Sequence, residues 1–218
     1  MKRVLISVEG QTEETFVREV LARRLWEIQI DLTPIIIATK RMKQGKKFKG
    51  GLTTYDHARN DINLLLQDTN AVAITTMYDL YHLPQNFPGY ASCPPGDCYT
   101  RTAYLEAQFQ QDVGDPRFRP YLQIHEFEAF LFVQPEKTAE ILTSASRLND
   151  LYKIRRSFNS PEEINDGEMT APSKRILKLF PNYDKPLYGS LVAIGVGLDA
   201  ISLECPHFRE WMEWLESI

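Results

Sequence analysis

Cysteine is scarce: three in 218 residues. An odd, sparse count does not build a disulfide framework. Long apolar runs are missing too. The longest, around Pro34 to Thr39 and Ala71 to Met77, are strand-sized, far short of the roughly 18 residues that a membrane helix needs. There is no basic surplus, with 25 Lys and Arg against 29 Asp and Glu and a net charge of -4. That excludes a broadly basic, histone-like binder but leaves room for a local basic patch. No Walker-type glycine loop, internal repeat or low-complexity tract occurs. An uncharged stretch behind Met1-Lys2-Arg3 is also lacking. Glu9, Glu13 and Glu14 arrive too early for the roughly 7–15 apolar residues of a signal peptide. The expectation is a cytoplasmic protein with no membrane partner.

What is present suits a globular fold, with 43% hydrophobic and 25% charged residues. One domain over residues 1–218 accounts for the length. Its first 135 residues alternate strand and helix patterns. Arg3 to Val8 reads as a strand, followed by a helix that Thr12 can cap, with Glu13 and Glu14 in its first turn. Val17, Val20, Leu21, Leu25 and Ile28 continue that helix at intervals that cover a sheet. Pro34 to Ala38, Ala71 to Met77 and Arg119 to His125 read as further strands. Thr54 to Gln67 and Tyr99 to Gln111 read as helices. His82 to Gly96 is loop, because Pro84, Pro88, Pro94 and Pro95 forbid regular structure. Residues 136–218 read as a mostly helical extension packed on that core, with helices over Gln134 to Ser144 and Leu187 to Ile194 and another starting near Pro206. Asn159 to Thr170 reads as a mobile loop.

Strands alternating with helices imply a mainly parallel sheet. Ligands of such sheets bind beyond the strands' carboxyl ends. Carboxylates gather there. Glu9 closes the first strand, with Glu13 one turn on. Asp79 closes the third, and Glu126 and Glu128 follow the fourth. Acids collected at one edge raise one another's pKa unless a cation shares the site. Oxygen-only donors suit Mg²⁺ or Mn²⁺, which activate water and stabilise charge on a transferring phosphoryl group.

The stretch Val8-Glu9-Gly10-Gln11-Thr12-Glu13 resembles the opening motif of Toprim domains, found in topoisomerases, primases and overcoming-lysogenization-defect-type nucleases. Asp79 stands where their Asp-x-Asp motif would follow the third strand. More closely, the chain resembles the bacterial family named domain of unknown function 4276. The likeness runs through Glu9 to Phe16, Gly50-Gly51-Leu52, Asp79-Leu80-Tyr81 and Pro120 to Ala129 with its His125-Glu126-Phe127-Glu128. It continues through Thr170 to Arg175, then Cys205 to Phe208 before Trp211.

The resemblance implies a Toprim-like α/β fold, a mainly parallel sheet of about four strands flanked by helices. It also implies Mg²⁺-dependent nuclease chemistry in bacterial defence or genome maintenance, with Glu9 and Asp79 in the catalytic and metal roles. Tyr81 departs from the pattern, standing where the second Asp would be. Glu126 is the inferred replacement, with Glu128 as a further ligand and His125 assisting. The alternative is a non-catalytic adaptor or sensor acting with a partner ATPase.

Supporting groups follow. Lys40, Arg41, Lys43, Lys46, Lys47 and Lys49 form a glycine-punctuated basic run that could hold a DNA or RNA backbone. Lys174, Arg175 and Lys185 could clamp a phosphate. Cys93, Cys98, Cys205 and His207 offer donors for zinc, although Cys-x4-Cys and Cys-x-His are unusual spacings for it.

Overall fold

The computed structural model of the chain describes residues 1–37, 52–164, 167 and 169–218. Strand β1 (Lys2–Val8) is buried from Val4 to Val8, as a strand covered on both faces must be. Its one polar member there, Ser7, is satisfied by the Tyr78 hydroxyl at 2.7 Å. Helix α1 follows in three consecutive pieces, Gln11–Phe16, a π-helical turn Val17–Leu21, and Ala22–Trp26. Gly10 occupies the cap position. Thr12, expected to cap, lies within the helix and is buried. Then come β2 (Ile30–Ile36), α2 (Tyr55–Leu65), β3 (Ala71–Asp79), α3 (Cys98–Val113) and β4 (Leu122–Gln123).

The sheet is parallel throughout, in the order β2-β1-β3-β4. β2 is an edge strand and tolerates Pro34 because one side of an edge needs no ladder donor. The expected fourth strand over Arg119 to His125 shrinks to two residues. Pro120 has no N–H to give, and the Thr76 side chain replaces the next rung. Its hydroxyl accepts from the Tyr121 N–H at 3.0 Å and donates to the Tyr121 carbonyl at 2.9 Å.

Two cores flank the sheet. On one face Leu5, Ile74, Tyr78 and Leu122 pack under α2 and α3, with Ile62, Leu105 and Phe109 completely or almost completely buried. On the other, Val4, Ile6, Val8 and Met77 meet α1 and the rest of the chain. That remainder is a 3₁₀ segment Phe127–Phe132, then α4 (Pro135–Ile141), α5 (Leu148–Arg155) and α6 (Pro172–Leu179). A π-helical turn Lys185–Gly189 leads into α7 (Ser190–Val196), followed by α8 (Leu198–Glu204) and α9 (Pro206–Ser217). The apolar stripe of α9 lies inward. Phe208, Trp211 and Leu215 are buried, the Trp211 ring stacks on Tyr121 at 4.3 Å, and its indole N–H donates to Thr75 Oγ1 at 3.0 Å.

The stretch expected as a mobile loop begins as an anchor. Ser160, Glu162 and Ile164 are buried. The Glu162 carboxylate accepts from the His207 and Phe208 amides at 3.0 and 2.9 Å, capping α9 and using its orphan N–H groups. Asn165, Asp166 and Glu168 lie outside the described residues, as do all six residues of the basic run, Lys40, Arg41, Lys43, Lys46, Lys47 and Lys49.

Candidate functional site

An open parallel sheet splits apart where successive crossovers leave in opposite directions. Here β1 connects to β2 on one side and has β3 on the other, so the switch point lies beyond the carboxyl ends of β1 and β3. Glu9 and Asp79 occupy it. They are joined directly, with the Asp79 amide donating to Glu9 Oε1 at 2.8 Å.

Asp79 Oδ1 accepts from the Phe127 amide at 2.9 Å, while Oδ2 faces Lys185 Nζ at 3.2 Å. The same ammonium stands 3.2 Å from Glu13 Oε1 and 3.2 Å from Glu128 Oε2. Three carboxylates from three distant segments therefore surround one cation, with Glu9 beside them on the Asp79 amide. Glu13, Asp79 and Glu128 are buried, at 4%, 7% and 2% exposure, which fixes their positions.

Local structure explains the convergence. Glu13 lies in the first turn of α1, where the helix dipole favours an anion. Asp79 is the last residue of β3. Glu128 lies in the 3₁₀ segment, whose entry is set by His125. That residue is buried and has a left-handed backbone, φ 61°, which is uncommon without glycine. Its carbonyl accepts from the Tyr81 amide at 2.9 Å. Beyond this turn Glu126 is extended and Phe127 begins the 3₁₀ helix.

The electrostatics are those of acids short of counter-charge. Burial pushes the Glu9 carboxyl up to about 7, the charge of Glu13 adds to this, and the Asp79 amide and Lys185 oppose it. Burial also raises Asp79 well above the ordinary carboxylate range, against the pull of Lys185 and with help from Glu9 and Glu13. Glu128 is raised by burial, opposed by Lys185. For Lys185, burial acts to lower its pKa, but Asp79, Glu128 and Glu13 outweigh it and raise it well above the ordinary value. One ammonium among four carboxylates leaves negative charge unbalanced.

Two expected members lie elsewhere. Glu126 turns to α6, where Oε2 accepts from the Ser173 amide at 2.8 Å and Oε1 from the Ser173 hydroxyl at 3.0 Å. It caps that helix and makes no ion pair with Lys185. Lys174 is exposed. Arg175 donates to the Thr170 carbonyl at 2.7 Å and lies over the Phe158 ring, so neither basic group joins the cluster. Of the three expected phosphate-clamping cations, Lys185 alone does.

Sequence reasoning missed Ser173 and Tyr183. The Tyr183 hydroxyl is buried without a hydrogen-bond partner. Burial drives its pKa up, and the charge of Glu128 adds to the shift. No periodicity marks either residue.

The zinc reading does not hold. Cys205 is fully buried, Cys98 Sγ lies 3.8 Å from the Glu162 carbonyl, and His207 Nε2 meets Glu106 Oε1 at 3.0 Å. Among the described residues no three His, Cys, Asp or Glu side chains stand ready-arranged around a metal position. At the switch point Lys185 stands among Glu13, Asp79 and Glu128. A cavity of about 620 Å³ lined by Tyr99, Asn159, Glu163, Glu204 and His207 includes none of the clustered acids. Glu204 is already paired with Arg155 there, and His207 with Glu106, so the switch point remains the stronger candidate.

The family described as Domain of unknown function (DUF4276) matches residues 8–216. No curated protein matches the chain. Among solved structures, the C-terminal region of the Xanthomonas campestris pv. campestris OLD protein is similar at 17% identity and a TM-score of 0.44, covering 100% of this chain and 95% of that one.

Proposed function

Because the chain belongs to the DUF4276 family, whose description names no activity, its site must carry the reading, and we propose divalent-metal-dependent phosphodiester cleavage on nucleic acid. The observation that carries it is the ammonium of Lys185 at 3.2 Å from each of Glu13, Asp79 and Glu128. A cation already stands where the parallel-sheet rule puts the ligand.

The donor set fits Mg²⁺ or Mn²⁺ in kind, since all its members are hard carboxylate oxygens. Two further facts support the fit. Four acid groups share one ammonium, and the buried Glu128 Oε2 has no hydrogen-bond partner beyond that ammonium at 3.2 Å. Glu9, Glu13, Asp79 and Glu128 would hold the ion, which when bound supplies water activation and charge stabilisation at phosphorus. The chain's own residues fix the geometry. The Phe127 amide holds Asp79, the Asp79 amide holds Glu9, and Glu126 locks α6 against the turn that carries Glu128. Glu9, bonded to the Asp79 amide at the end of β1, stands where an acid–base group of the reaction would act.

The test uses Glu9→Gln and Asp79→Asn. Both should reduce Mg²⁺- or Mn²⁺-dependent cleavage of DNA or RNA by roughly 100-fold or more, the scale for a lost acid–base group, while circular dichroism stays native. Variants that cut as fast as the parent would remove the reading.

A second reading has its own support. Lys185 already counterbalances part of the cluster, so the fold can stand without a metal, as a non-catalytic adaptor for a partner such as an ATPase would. Purified protein that binds nucleic acid or a partner but never cuts with either ion would select it.

A further inference from the structure

Three carboxylates around one ammonium describe a cation position with a removable occupant. The acids are the fixed half. Their side chains are 6%, 9% and 3% exposed for Glu13, Asp79 and Glu128, whereas that of Lys185 is 32% exposed. The acids also sit at a strand end, in a helix first turn and in a fully buried 3₁₀ segment.

Lys185 comes from a different kind of support. It opens a π-helical turn, preceded by exposed Asp184 and followed by exposed Pro186 and Leu187. About a third of its side chain is exposed, and a long flexible lysine can withdraw its ammonium by a rotamer change without moving the backbone.

The fit of the ammonium is also incomplete. Of its three contacts only that to Asp79 is a hydrogen bond, and the buried Glu128 Oε2 has no hydrogen-bond partner beyond the ammonium at 3.2 Å, while the buried Tyr183 hydroxyl beside Glu128 has none. Divalent ions of the Mg²⁺ class take oxygen ligands closer, at about 2.0–2.1 Å, than the 3.2 Å of the lysine. The two cations cannot share that space.

We propose that Lys185 is a tethered counter-ion: it fills the cation position of the acid cluster when no divalent ion is bound and is expelled to solvent when one binds. The inference rests on reading the cluster as a divalent-ion site. It adds a threshold. Metal must displace an internal competitor of fixed, high local concentration, so the site loads only above a set metal level.

The experiment titrates the full chain with Mn²⁺ alone, by calorimetry and by Mn²⁺ electron paramagnetic resonance. In parallel, mass spectrometry follows acylation of each lysine by an amine reagent. Lys185 should be protected without metal and become several-fold more reactive at saturating Mn²⁺, with the other lysines unchanged. Lys185→Gln should bind Mn²⁺ on the order of tenfold tighter, the effect of removing one contacting charge in a partly solvated site. Lys185→Arg, bulkier and always charged, should bind more weakly than wild type. If Lys185→Gln fails to fold, the labelling of the wild-type chain and the arginine variant decide the matter.

Asp79-dependent Mn²⁺ binding with Lys185 still protected, or with no gain in Lys185→Gln, would overturn the inference and leave the metal-site reading intact. Absence of Mn²⁺ binding in both wild type and Lys185→Gln would remove both.

Discussion

Glu126→Gln and Glu126→Ala separate a carboxylate that caps a helix from one that holds an ion. Both oxygens of Glu126 are committed to Ser173, one to its amide at 2.8 Å and one to its hydroxyl at 3.0 Å, in a residue only 4% exposed. Hydrogen bonds to a charged acceptor contribute about 1.5–3 kcal/mol each. Glutamine keeps one carbonyl acceptor for the amide and offers an NH₂ that the serine hydroxyl can accept from. The loss is then the charge assistance alone, about 1 kcal/mol. Alanine removes both bonds and the anion at the N-terminus of α6, about 3–6 kcal/mol. For a chain of 218 residues, each kcal/mol shifts Tm by roughly 2–4 °C. Glutamine should therefore lower Tm by about 2–4 °C, and alanine by roughly 6–24 °C. Thermal melts by circular dichroism read the shift, and Mn²⁺ titration of the folded variants reads the site. Glu126→Gln should bind Mn²⁺ like the parent. A variant of unchanged Tm that loses Mn²⁺ binding as fully as Asp79→Asn does would refute the assignment and restore Glu126 to the ion.

Two further outcomes follow from the same geometry. Glu9 has a folded pKa of about 7 against an ordinary 4.5, so its protonated form is favoured by folding. Its contribution is fully present below pH 4.5 and is lost as pH rises through about 7. Denaturant melts of wild type and Glu9→Gln should show a stability difference that shifts against the wild type over that interval, and a difference independent of pH would contradict this. At position 125 the left-handed backbone favours glycine over any residue with a β-carbon by about 1–2 kcal/mol. His125→Gly should therefore be more stable than His125→Ala by that amount in urea melts, and equal stability would show that the backbone relaxes.

The strand ends were legible because the physics that creates them is local. Buried β1 and β3 must be apolar, so the first acid after each stands out, and adjacent parallel strands bring Glu9 and Asp79 together without further information. Past β4 that logic fails. Alternation assigns side chains to faces only while the backbone stays extended, and the left-handed turn at His125 resets it. Glu126 thus faces Ser173 and Glu128 enters the cluster, the reverse of the order of importance expected for them. The central place of Lys185 depends on a contact spanning 106 positions. Only the packing of the second half on the first defines it. The shortened β4 has a similar origin, since a threonine hydroxyl standing in for a ladder partner leaves no trace in hydropathy.

One side of the sheet is roofed by parts from both ends of the chain, with Phe16 against Phe127, Phe130 and Phe208. A truncation after residue 135 would remove Phe208 and the later helices from that roof and leave part of the apolar surface around Phe16, Phe127 and Phe130 uncovered. Such a half-molecule would be greasy on one flank, prone to clump during synthesis and a ready client for chaperones. The acids would lose Lys185 in the same cut. A nascent chain would carry its strand-end carboxylates without their ammonium until translation had passed Lys185.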